Sequence, residues 1–139
     1  GGKKNQWVVD YDYQYNVAKA AAENGVEAIE LMSSIGANEK SVFFYSKMKG
    51  ELEKALAKLR FKKVVITRPP SLIRKNSDRV GEKVSLSVLK VFNKLGMLKN
   101  LAPMPTEQVA RAMINTAKDN ISGIRIIESD QIRVLSSAI

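Results

Sequence analysis

The run Lys62-Lys63-Val64-Val65-Ile66-Thr67-Arg68-Pro69-Pro70 constrains this chain most. Four β-branched residues in succession favour a strand buried on both faces, and the two prolines stop it abruptly. Segments of helical period lie on either side. Before the run, Phe44, Met48, Leu52 and Leu56 recur every fourth residue and line one face of a helix expected from about Glu39 to Leu59. After it, Thr106 is an N-cap for a helix carrying Val109, Ala110, Met113, Ile114 and Ala117. Two further strands are expected at Val26 to Met32 and Gly123 to Ile127. Alternation of this kind, with connections long enough for crossovers, predicts an α/β fold: a Rossmann-like parallel sheet with flanking helices.

The remaining elements follow from local signals. Residues 1–8 read as a connection, followed by an Ala-rich helix from Asp10-Tyr11-Asp12 to a cap at Asn24-Gly25. Asp10 and Asp12 are expected to be helix-end charges, and Tyr11, Tyr13 and Tyr15 packing residues. Glu30 interrupts its strand's apolar run, as an edge residue or a paired charge. Residues 71–81 read as a polar loop, Glu82 to Leu95 as a helix and Met97 to Pro105 as a proline-bearing loop. One helical turn is expected in the tail.

A chain of 139 residues is one domain's worth, with 45% hydrophobic and 27% charged residues. No apolar run approaches the roughly 20 residues a membrane helix needs, and no membrane partner is expected. Without cysteine or histidine there is no thiolate, no imidazole base and no basis for a metal site. The net charge of +9 is spread over many short clusters rather than one basic tract with interleaved aromatics, so a nucleic-acid partner is not expected. The polar opening Gly1-Gly2-Lys3-Lys4 carries no secretory pattern, and a cytoplasmic location is expected.

In parallel sheets ligands bind beyond the strands' carboxyl ends. Two candidate segments fall on that rim, Ser33-Ser34 and Arg68-Pro69-Pro70-Ser71-Leu72. Tyr45 and Lys49, four apart on one helix edge, lie across a short loop from the serines. Carbonyl reduction by hydride needs a proton at the carbonyl oxygen. A tyrosine supplies one if an ammonium pulls its pKa down from about 10. Lys49 is spaced to do so and also to hold a nicotinamide ribose, while Ser33 or Ser34 stabilises the developing oxyanion.

Ser33-Ser34-Ile35-Gly36-Ala37, Phe44-Tyr45-Ser46-Lys47-Met48-Lys49-Gly50-Glu51, Arg68-Pro69 and Arg79-Val80-Gly81-Glu82 resemble the atypical short-chain dehydrogenases/reductases. Within them the resemblance is to the NAD(P)H-binding, Tat-interacting-oxidoreductase-like group. It runs from about Val9 to Met113. It implies an NAD(P)H-dependent oxidoreductase acting on a small carbonyl or alcohol, with NADP or NAD as cofactor. Tyr45 would be the proton donor, Lys49 the ribose-binding partner and Ser33 or Ser34 the substrate-orienting serine. Pro69, Leu72 and Arg79 would approach the cofactor, although Pro70 and Arg74 depart from the pattern.

The resemblance also implies a Gly-rich phosphate-binding turn that this sequence lacks. Residues 1–139 are therefore expected to be a single domain, the C-terminal portion of a Rossmann-like domain. By the family layout roughly 70–80 residues would precede it. An exposed sheet edge would favour self-association or pairing with that missing N-terminal segment. A second reading keeps the scaffold as a non-catalytic NAD(P)-sensing or regulatory protein. A semialdehyde dehydrogenase is disfavoured, because thioester chemistry needs a cysteine.

Overall fold

The computed structural model describes residues 2–73 and 101–137. The sequence-expected helix at 82–95, Arg74 and Arg79 lie outside the described residues. Three five-residue strands, β1 (Ala28–Met32), β2 (Lys63–Thr67) and β5 (Gly123–Ile127), form a parallel sheet in the order β1-β2-β5. The register pairs Ile29 with Val64 and Val64 with Ile124. A second, two-residue parallel pairing joins β3 (Leu72–Ile73) to β4 (Met104–Pro105). The α/β class expected from the alternation is the observed one.

Strand periodicity divides the core. Val64 and Ile66 of β2 point to one face, where Leu31, Ala18, Leu52 and Leu56 complete a buried cluster. That face is covered by α2 (Tyr13–Glu23) and α3 (Phe44–Ala57). Val65 points the other way, into Met104, Val109, Ala112, Ile127 and Ile132. There α4 (Thr106–Lys118) and α5 (Ser129–Ser137) pack against each other and the sheet. All five residues of β2 are buried, as a central strand of a two-sided parallel sheet requires.

Two departures from the sequence expectation have physical causes. Residues 1–8 are not a connection. A helix, α1 (Lys3–Trp7), runs through a π-helical segment (Val8–Asp12) into α2 with helical dihedrals kept at both junctions. Trp7 stacks on Tyr11 with centroids 4.8 Å apart, and Tyr11 on Tyr15 at 6.2 Å, so an aromatic row supports this extension. Asp10 therefore lies inside a helix rather than at its end. The tail forms two and a half turns instead of one because Ile132 anchors it in the second cluster at 0% exposure.

Charged side chains tie the sheet to α4. At the amino end of β2, Lys63 donates to the backbone oxygens of Thr116 and Asp119 and to the Asp119 carboxylate, closing the C-terminus of α4. Arg125 pairs with the same carboxylate. Glu30 accepts the Thr116 hydroxyl at 2.7 Å, so the charge that interrupts the β1 run is a partnered one.

Candidate functional site at the carboxyl rim

The loops after β1 and β2 are laced together beyond the strands. Ser33 N–H donates to the Thr67 carbonyl at 2.7 Å, Ile35 N–H to that of Pro69 at 3.0 Å, and Arg68 N–H to that of Ile127 at 2.9 Å. The side chains continue the lacing. Arg68 Nε and Nη2 donate to the two oxygens of Glu53 at 3.0 and 2.6 Å, and Nη1 reaches Glu128 at 2.8 Å. Ser33 Oγ donates to Glu53 Oε1 at 2.5 Å. One guanidinium thus joins the ends of β2 and β5 to α3, in the planar two-point geometry that suits arginine. Sequence reasoning missed this network. Its available signal was Tyr45-Lys49-Glu53 at intervals of four, which puts a third polar group on the same helix edge.

The two serines separate here. Ser33 is 6% exposed and committed to Glu53. Ser34 is half-buried, and its hydroxyl lies near enough to the Tyr45 phenol to favour the phenolate. Tyr45 and Lys49 share the expected edge of α3, with the Lys49 nitrogen 5.9 Å from the centre of the Tyr45 ring. Pro69 is buried in the laced loop, and Leu72 packs against the second core cluster.

α3 is held close to the serine loop by Gly50. A Cβ built there would lie 2.2 Å from the Glu39 amide nitrogen and 2.4 Å from the Asn38 carbonyl carbon. Only glycine permits that approach. On the far side the π-helical segment packs against α3, and Trp7 at the end of α1 meets the Phe44 ring at 6.1 Å. Asp10 in that segment acts electrostatically on both Tyr45 and Lys49. Its role was not visible in the sequence, where it read as a helix-end charge.

The electrostatics contradict the expected activation of the phenol. Burial pushes the Tyr45 pKa up, the Asp10 charge adds to the rise, and only Ser34 opposes it. Lys49 lies over the ring face and is not among the groups that lower the phenol. Lys49 itself is shifted down by burial, against the opposing pull of Asp10 and Glu53. It is 6% exposed, and its ammonium makes no hydrogen bond or ion pair with any described residue.

A parallel α/β sheet with polar side chains gathered at its carboxyl rim defines a broad class rather than one activity. No protein-family model matches the chain. It is similar to the mitochondrial protein FMP52 of several yeasts. Identity is 36% over 129 residues with that of Debaryomyces hansenii and 37% over 125 with that of Candida albicans, each covering 88% of this chain and 55% of the relative. With that of Eremothecium gossypii it is 33% over 138 residues, covering 95% and 61%. The chain spans about half the length of the curated relatives it matches.

These relatives correct four expectations. They carry the name FMP52, not that of a short-chain dehydrogenase/reductase, which overturns the resemblance drawn from the serine, tyrosine and lysine motifs. The oxidoreductase activity implied by that resemblance falls with it, and the NAD(P)-sensing alternative gains no support from them. The descriptive terms that went with a dehydrogenase are withdrawn as well. Cytoplasmic location is overturned because the relatives are named as mitochondrial. The physical reason the motifs misled is that helix spacing fixes which side chains are neighbours but not their field. Burial and Asp10 decide the field at Tyr45, and both act against ionisation.

Proposed function

We propose that this chain forms the carboxyl-rim part of a small-molecule binding site in a mitochondrial protein. The observation carrying this reading is Lys49, whose stem is enclosed beside the Tyr45 ring while its ammonium has no hydrogen-bond partner among the described residues. The Tyr45 hydroxyl and Ser34 add donors and acceptors beside it. Together they suit a ligand rich in hydroxyl or anionic oxygen, and NAD or NADP are the first candidates to test.

The fit extends only to the oxygen-bearing part of such a cofactor, since the sequence has no Gly-rich turn to cradle a pyrophosphate. Pro69 and Leu72 would shape the wall of the site. Residues 1–139 would act as one domain within a longer α/β unit, and the free edge of β1 would accept a strand from the remainder.

The test is a titration of the full-length protein with NADH and NADPH followed by nucleotide fluorescence, comparing wild type with Lys49→Met and with Lys58→Met as a surface control. Loss of a charge-assisted contact is expected to weaken binding by about tenfold or more in Lys49→Met alone. Equal binding by Lys49→Met and wild type overturns the reading.

A further inference from the structure

Two lysines among the described residues are buried, Lys49 at 6% and Lys63 at 8% exposure, and they differ in kind. Lys63 is saturated by the carbonyls of Thr116 and Asp119 and by the Asp119 carboxylate. Lys49 makes no hydrogen bond among the described residues, and the Tyr45 ring lies beneath it. Every fully enclosed side-chain nitrogen or oxygen among the described residues has a hydrogen-bond partner. The Lys49 nitrogen has none, so it sits at the open mouth of its pocket with its methylene stem enclosed.

We propose that Lys49 is a carbonyl-capture site, whose amine, held beside the Tyr45 ring, adds to a small aldehyde to form a reversible imine. The inference rests on the preceding reading that a small molecule binds beside Lys49. The step needs no oxidant or reductant. The nitrogen lone pair forms a C–N bond to the carbonyl carbon, and the carbonyl π electrons move to oxygen, which takes a proton. The carbinolamine nitrogen then loses its second proton as water departs, leaving C=N. The Tyr45 hydroxyl one turn away and the Ser34 hydroxyl are the groups beside the amine able to hydrogen-bond the oxygen that leaves.

Capture requires the neutral amine. Burial favours that form, and the charged groups facing Lys49 oppose it: Asp10 from the π-helical segment and Glu53 from α3, with Glu53 already engaged by Arg68. Burial wins, and the Lys49 pKa lies below the ordinary lysine value of 10.5.

The full-length protein is treated near neutral pH with limiting propionaldehyde and sodium cyanoborohydride, which traps imines as secondary amines, and alkylated lysines are mapped by peptide mass spectrometry. Lys49 is expected to be alkylated severalfold faster than the exposed Lys40 and Lys58. Asp10→Asn should accelerate it further by removing an opposing charge, and Asp12→Asn should not. Alkylation of Lys49 no faster than of Lys40, or indifference to Asp10→Asn, overturns the proposal. The NADH titration separates the two readings. Nucleotide binding without selective alkylation sinks imine formation alone, and selective alkylation without nucleotide binding sinks the nucleotide assignment alone.

Discussion

Arg68→Met is the most informative single perturbation of this fold. The side chain of Glu53 is 7% exposed and receives two of the guanidinium's hydrogen bonds, while Arg68 is 20% exposed and Glu128 43%. Removing the guanidinium strands Glu53 as a buried charge held only by the Ser33 hydroxyl. Breaking a buried pair by deleting one partner costs about 3–5 kcal/mol. The partial exposure of Arg68 and the solvated Glu128 arm argue for the lower end, about 3 kcal/mol, or a Tm loss on the order of 10 °C. Glu53→Gln should cost less, since its amide oxygen still accepts from Ser33. The double variant should recover about 2 kcal/mol relative to the sum of the singles, because the methionine then faces no charge. Urea melts of the four proteins by circular dichroism measure that coupling. Strict additivity, or an Arg68→Met protein within about 1 kcal/mol of wild type, would refute the assignment of Arg68 as the knot of the rim.

Further expectations concern the rest of the frame. Gly50→Ala should destabilise by at least about 2 kcal/mol although alanine is the better helix former, because its Cβ must displace the Asn38–Glu39 backbone; thermal melts check this. Gly25→Ala should cost only about 1 kcal/mol, for its φ of +78° rather than for any crowding. Asp119 has its pKa lowered to about 2, first by Lys63 and then by Arg125. A depressed carboxylate contributes stability above its unfolded value of 3.8 that is lost as pH falls toward about 2. Asp119→Asn should therefore flatten the acid limb of a stability–pH curve in that window. Thr116→Val takes from Glu30 its 2.7 Å donor and should raise a carboxyl pKa already lifted by burial, as NMR titration would register.

What could be read in advance followed from periodicity. β2 and β5 fell within one residue of expectation because β-branched runs bounded by charge, proline or glycine admit few other structures. α4 and the body of α3 were legible from their apolar spacing, although α3 begins at Phe44 rather than about Glu39. The N-terminal helix was not, since the alternating Tyr11, Tyr13 and Tyr15 hid the interval of four through Trp7, Tyr11 and Tyr15 that the structure uses. At the candidate site, Tyr45 and Lys49 were correctly made neighbours. Their electrostatics depended on Asp10, more than thirty residues earlier, which no local pattern connects to α3. Ser33 and Ser34 were indistinguishable until Glu53 claimed one of them.

β2 carries a basic residue in each of its end networks, Lys63 serving α4 and Arg68, just past Thr67, serving α3 and Glu128. A slip of one residue would carry both about 3.3 Å and turn each to the opposite face. Neither misplaced cation would find its acceptors, so both ends reject the same error. The strand is thus proofread for alignment by charge, a safeguard that its nearly uniform hydrocarbon interior, Val64-Val65-Ile66, has no means of providing.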